Sequence, residues 1–309
     1  MNRLTAILIL ALIYGPASAQ ENKILRPHIY GIGRVTIYVR DRAAARDFYS
    51  HQLDYLSSPE IPCDPPPHFC YASFVQILDV VSPSAPDEGQ FLGEVDFRTH
   101  DIQGMHRYLE SQNVKVTEIV TIKQTKAHYA LESFSTTDPD GHRIGFVQFD
   151  GCIVCEGTDA GTSWTIIHAG FVVRDRASEE KFYQDVLGFR PYWHGGMKDD
   201  GKDDWVSLHV PNGADWVEFM VNVSPSTDHR TLGVMNHIAL GVRDVHETQE
   251  FLIGNGWKQG EQPKIGRDGK WQLNLYDPDG TRIEFMEFKP VQEPCCSKFT
   301  GPHPAHANQ

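Results

Sequence analysis

The stretch "YDPDGTRIEFMEF" at residues 276 to 288 has a near twin in "TDPDGHRIGFVQF" at 137 to 149. Each opens on a turn signal and runs into an apolar, strand-like segment. They differ in mid-strand, where Glu284 stands in one copy and Gly145 in the other. The repeat extends upstream. "RVTIYVRDRAAARDFYSHQLDY" (34 to 55) aligns without a gap on "HAGFVVRDRASEEKFYQDVLGF" (168 to 189), so Val39-Arg40-Asp41-Arg42-Ala43 matches Val173-Arg174-Asp175-Arg176-Ala177 and Phe48-Tyr49 matches Phe182-Tyr183. Such self-similarity marks a duplication.

A second pair, "EVDFRTHDI" (94 to 102) and "HIALGVRDV" (237 to 245), repeats the same strand-then-Asp pattern inside each half. Each half therefore holds two modules. In each, a short β-branched strand ends at an Asp able to cap a helix, the helix shows apolar three- and four-residue spacing, and further strands follow. The order predicted is β-α-β-β-β, four times over. "DGCIVCEGTDAGT" at 150 to 162 is Gly-rich and lacks periodicity, which reads as a linker. The segment from Lys289 onward, with His303 and His306, reads as a solvated tail.

The 309 residues suit two domains rather than one. Hydrophobic content of 40% with 22% charged residues is that of a globular chain, and a net charge of −13 argues against nucleic acid or an anionic membrane surface as partner. The start "MNRLTAILILALIYGPASAQ" has a basic residue, an apolar run from Leu4 to Tyr14 too short to span a bilayer, and Ala17-Ser18-Ala19. It predicts a signal peptide over 1–19, cleavage after Ala19, and a periplasmic or secreted protein with no membrane association after cleavage. The six cysteines fall in close pairs, and an even count in an exported chain favours disulfides, with Cys63–Cys70 the first choice.

Paired modules with this opening and a "DPDGxxIE" close resemble the vicinal oxygen chelate superfamily, which includes glyoxalase I, bleomycin and fosfomycin resistance proteins and extradiol dioxygenases. The resemblance implies an α+β protein of two tandem domains, each a cupped, barrel-like mixed sheet of two βαβββ modules with helices outside. The boundaries implied are 28–150, a linker at 151–162, 163–290, and a flexible tail at 291–309. The family's ligand positions fall on His168 in "IIHAGFVV", Glu218 in "DWVEFMV", His237 in "MNHIAL" and Glu284 in "TRIEFMEF". Two imidazoles and two carboxylates suit one divalent cation, with Ni, Zn, Co, Mn and Fe all open. The same positions in the N-terminal half are Arg34, Gln76, Glu94 and Gly145, a degenerate site in which Arg34 is expected to replace the cation by pairing with Glu94.

Three activities follow from the resemblance. A glyoxalase-like lyase or isomerase would chelate vicinal oxygens of a small-molecule substrate and stabilise an enediolate, with Glu218 or Glu284 as base. An extradiol Fe(II) dioxygenase would use two His and one carboxylate, but the His that its motif places before the final turn is absent from "GRDGKWQLNLYDPDG". A non-catalytic binding protein of the resistance type is the third. Trp193, Trp205, His194 and His209 are candidates for the substrate pocket, and "HGGMKDDGKDD" between the two tryptophans reads as a hairpin or a lid. A fused pair of domains is compatible with a monomer or a homodimer.

Overall fold

The computed structural model describes residues 24–54, 68–73, 76–81, 91–124, 129–151 and 165–305. The predicted leader, most of the linker and Cys63, Cys152 and Cys155 lie outside the described residues, and so does the side chain of Cys70. Among the described cysteines, Cys295 and Cys296 form a disulfide with each other. No described helix is long and apolar enough to cross a membrane.

The chain forms two curled mixed sheets. In the first half β1 (Gly31–Tyr38), α1 (Arg42–Arg46), β2 (His68–Ser73) and β3 (Gln76–Val81) are followed by β4 (Leu92–Arg98), α2 (Ile102–Ser111), β5 (Val120–Gln124), β6 (Tyr129–Thr137) and β7 (Arg143–Gly151). In the second, β8 (Thr165–Val172), α3 (Arg176–Lys181), β9 (Arg190–Gly195), β10 (Trp205–His209) and β11 (Trp216–Met220) precede α4 (His229–Met235). Then come β12 (His237–Val242), α5 (Val245–Gly254), β13 (Lys264–Ile265), β14 (Trp271–Tyr276) and β15 (Arg282–Glu287). The order β-α-β-β-β recurs as expected, with β1, α1, β2 and β3 the described part of the first module.

Capping explains why each first strand gives way to a helix. Asp41, Asp101, Asp175 and Asp244 each accept backbone N–H bonds from the first turn of the helix that follows. After α1 and α3 the chain continues as a π-helical turn, Asp47–Gln52 and Phe182–Val186, which carries the repeated Phe-Tyr pair. Gly141 and Gly280 close the two DPDG turns at φ +91°, a left-handed conformation that favours glycine.

Sheet order is β2-β3-β1-β4-β7-β6-β5 in the first half and β13-β14-β15-β12-β8-β11-β10-β9 in the second. The strands that carry the predicted ligand positions, β15, β12, β8 and β11, are therefore four neighbours at the middle of one sheet. One apolar core runs through both halves, joining Val35, Phe97 and Phe146 to Tyr183, Phe219 and Phe285.

The halves clasp each other through the repeated motifs. Tyr49 donates to Asp277 Oδ2 at 3.0 Å, and its repeat Tyr183 donates to Asp138 Oδ2 at 3.4 Å. Arg40 N donates to Asp279, and Arg174 N to Asp140. Each DPDG turn thus caps the strand-to-helix corner of the opposite half. The C-terminal segment departs from the expected flexible tail: residues 291–305 lie against the second sheet. Thr300 N bonds Tyr192 O at 3.0 Å, Trp193 Nε1 bonds Cys295 O at 3.2 Å, and His303 Nδ1 meets the Tyr192 hydroxyl at 2.6 Å. Phe299, packed on Tyr192 with ring centres 4.9 Å apart, supplies the apolar anchor that the sparse periodicity concealed.

Burial pushes the Asp277 carboxyl up to about 6, while the Thr281 N–H and the Tyr49 hydroxyl act in the opposite direction. Its folded value exceeds the unfolded one, so the stability tied to its protonated form is present below the unfolded pKa and is lost as pH rises through about 6. Tyr49→Phe removes a donor to a buried carboxylate and is expected to cost about 1–3 kcal/mol, more at pH 8 than at pH 5. Urea unfolding at the two pH values checks this.

Candidate metal centre

β-Strand alternation sends Arg282, Glu284 and Met286 to one face of β15 and Ile283 and Phe285 to the apolar core. On β8 a bulge beside Ile167 resets the register so that His168 faces the same concave side. His168 lies opposite Ala239 of β12, which lies beside Glu284 of β15. His237, Gly170 and Glu218 form the adjoining cross-strand row. Gly170 is required for space, because a Cβ there would enter the His237 ring.

His168 Nε2 is 3.0 Å from His237 Nε2, and Glu284 Oε2 is 3.7 Å from the first and 3.3 Å from the second. The ligand atoms of these three lie within 4.8 Å of one another. Glu218 Oε2 stands 3.8 Å from His237 Nε2. His237 Nδ1 lies 2.7 Å from the carbonyl of Met235, which places the proton on Nδ1 and the Nε2 lone pair towards the cluster. His168 packs against Trp216 with ring centres 4.7 Å apart and the planes tilted by 38°, and its Nδ1 is buried without a partner. Converging nitrogen and carboxylate donors with one tautomer fixed from behind fit a divalent cation.

Electrostatics separates the two carboxylates. Burial, then repulsion from Glu284, pushes Glu218 up to about 8. Burial would raise Glu284 as well, but His237, Arg282 and His168 overcome it and hold that carboxyl down to about 2. Burial lowers both imidazoles, His168 most strongly, with the neighbouring His237 adding to it.

Three charged neighbours lay outside the sequence reading. Arg282 Nη2 is 2.7 Å from His237 Nε2 and 3.9 Å from Glu284 Oε2. Its place two residues before Glu284 was the available signal. Lys270 is fully buried, with its ammonium 4.4 Å over the Trp216 ring and 5.1 Å over Phe299. Burial lowers Lys270 to about 8 against the pull of Asp268. A cavity of about 340 Å³ opens on this centre, lined by Trp193, Trp205, Met197, Asn274, Glu218 and Glu284 among others.

Of the predicted pocket residues, Trp193 and Trp205 line this cavity and His194 and His209 do not. His194 points from the opposite face of β9 and bonds Asp203 at 2.8 Å. The His209 ring bonds the Val210 carbonyl at 2.8 Å and lies beneath Gly301 of the C-terminal segment. The "HGGMKDDGKDD" loop joins β9 to β10 as a hairpin, and Arg267 ties it down through Gly196 O at 3.0 Å and an ion pair with Asp199.

The degenerate positions in the first half are arranged differently from the expectation. Arg34 pairs with Asp96, not with Glu94, because Asp96 is its direct cross-strand partner. Glu94 binds Arg143 at 2.9 Å and Ser135. Gln76 leaves the cluster for the other half, where it accepts from Ile166 N and donates to Ile166 O, both at 2.7 Å. A Cβ at Gly145 would collide with Asp96 and lie 2.7 Å from the Phe134 carbonyl oxygen.

Residues 165–285 match the family described as the Glyoxalase/Bleomycin resistance protein/Dioxygenase superfamily. A lactoylglutathione lyase of Haemophilus influenzae is 30% identical over 126 residues, which are 40% of this chain and 93% of that protein. The chain belongs to this superfamily. A probable chloroplastic lactoylglutathione lyase of Arabidopsis thaliana is 25% identical over 135 residues, 42% of this chain but 38% of the relative's length.

Among solved structures, the anaerobic complex of homoprotocatechuate 2,3-dioxygenase of Brevibacterium fuscum with 3,4-dihydroxyphenylacetate superposes with TM-score 0.62 at 18% identity. It covers 90% of this chain and 84% of that one. A room-temperature structure of an extradiol ring-cleaving dioxygenase of the same organism gives TM-score 0.61 at 18% identity, covering 85% and 73%. At that identity the likeness is one of fold.

Removing one carboxylate donor is expected to take one equivalent of bound divalent metal from the loaded protein in Glu284→Ala. Gly145→Glu is expected to add none and to destabilise the chain by about 1–3 kcal/mol through overpacking. Elemental analysis and denaturant unfolding read the two effects.

Proposed function

We propose that the protein is a metal-dependent lyase or isomerase of the glyoxalase type, acting on a small molecule that carries vicinal oxygens. The observation that carries this reading is the fourth donor. Glu218, from the middle of β11, reaches to 3.8 Å from His237 Nε2 and adds a second carboxylate to the set. The sequence likeness to lactoylglutathione lyases supports it. A divalent cation held by His168, Glu218, His237 and Glu284 would supply Lewis acidity to two neighbouring substrate oxygens.

The chain's own groups divide the remaining work. Glu284 is fixed by His168, His237 and Arg282. Glu218 lies farther from the imidazoles and lines the cavity, so it takes the carbon-bound proton and returns it to the neighbouring carbon. The Met235 carbonyl holds His237 in one tautomer through the cycle. Trp193 and Trp205 wall the cavity and limit the water that reaches the base. Export completes the proposal and rests on the leader at 1–19.

The second reading is extradiol ring cleavage. It is favoured by the tighter grouping of His168, His237 and Glu284, a two-histidine, one-carboxylate set. Glu218→Gln separates the two. For the lyase, proton exchange of an α-hydroxycarbonyl or hemithioacetal substrate in D2O with Ni²⁺, Zn²⁺, Co²⁺ or Mn²⁺ is expected to fall about 10²- to 10⁴-fold while metal is retained. Oxygen uptake by the Fe(II)-loaded protein with catechols, undiminished in Glu218→Gln, would instead establish the dioxygenase.

A further inference from the structure

The two clasps between the halves are built from equivalent residues, yet they differ at two positions. His142 stands where the second turn has Thr281, and Glu179 of α3 stands where α1 has Ala45. Ala45 and Thr281 are both fully buried, so that junction closes with small side chains. At the other junction Asp138, His142 and Glu179 bring one ligand atom each to within 4.8 Å of one another.

Their bonding leaves one ligand atom of this group, Glu179 Oε2, without a partner. His142 Nε2 is 3.1 Å from the Val172 carbonyl, which places a proton on that nitrogen and turns Nδ1 towards Asp138 Oδ2 at 2.7 Å. Glu179 is fully buried; its Oε1 accepts from Asp140 N at 2.7 Å, while Oε2 is buried without a hydrogen-bond partner. Asp138 is 5% exposed. One imidazolium would balance only one of two buried carboxylates, whereas a divalent cation balances both. A cleft of about 560 Å³ reaches His142 past Gly141, Phe171 and Arg174 and gives an entry path.

We propose that Asp138, His142 and Glu179 form a second divalent-cation site, which pins the DPDG turn of the first half to α3 of the second. Two carboxylate oxygens and one imidazole nitrogen suit Zn²⁺ or a similar borderline cation, with water completing the coordination. The hydrogen bond from His142 Nε2 to Val172 serves as the support behind the ligand. The site is structural and independent of the reaction at His168 and Glu284.

The test uses the full chain carrying His168→Ala and Glu284→Ala, which disables the first centre. Equilibrium dialysis against Zn²⁺ with elemental analysis is expected to return one equivalent, and Zn²⁺ is expected to raise its Tm. Adding Glu179→Ala and His142→Thr copies the other junction, so folding is expected to persist by circular dichroism while the equivalent and the Tm shift disappear. No bound equivalent in the first protein, or the same equivalent in the second, overturns the proposal. Should the disabled background fail to fold, the junction pair placed in the otherwise unaltered chain must lower the zinc content by one equivalent. Unchanged content there overturns it equally.

Discussion

A charge taken into a protein interior must be balanced where it sits, and the concave face of each sheet is organised around that requirement. In the second half four ionisable side chains on β15, β12, β8 and β11 face one another. Their nitrogen and oxygen donors have the composition that a divalent cation balances. In the first half the same strands carry Arg34, Asp96 and Glu94, which with Arg143 balance among themselves. Gly145 belongs to that solution, since its missing side chain is the space that Asp96 fills. The absence of a glutamate at this position and the presence of the internal ion pair go together.

The reciprocal clasp holds together two halves whose sites differ. Each DPDG turn serves the opposite half, through Tyr49 and Asp277 on one side and Tyr183 and Asp138 on the other. Gln76 has moved from a ligand position to a bridge onto Ile166, and the shared apolar core runs behind both. The first half therefore holds the second in place through these contacts.

What was legible in the sequence was local or periodic. The Asp caps, the turns and the inward position of Glu284 follow from spacing and alternation along single strands, whereas His168 and His237 were legible through the family resemblance. Glu218 was legible through the same resemblance, and the "VSPS" that follows its strand in both halves, at 223 to 226 and 81 to 84, made Gln76 legible as its counterpart. What was not legible depends on register or on distant packing. Arg34 meets Asp96 because a bulge at Gly33 sets the cross-strand partner. Lys270 reads as a surface residue until Trp216, Tyr192 and Phe299 close around its ammonium. The C-terminal segment lacks periodicity because its order comes from Tyr192 and Trp193 of another strand, not from a pattern of its own.

Fold and chemistry separate at Glu218. A scaffold of paired modules hosts many reactions, so the likeness to a ring-cleaving dioxygenase across most of the chain carries the architecture and leaves the reaction open. The donor set is narrower evidence and more physical. With three donors a cation keeps room for a substrate and dioxygen together; a fourth fills one of those positions and adds a carboxylate able to hold a proton beside the substrate. It also couples stability to occupancy, because Glu218 and Glu284 repel each other until a cation lies between them. The concave face of the first half, balanced by its own ion pairs, carries no such dependence, and through the shared clasp that half holds the second in register.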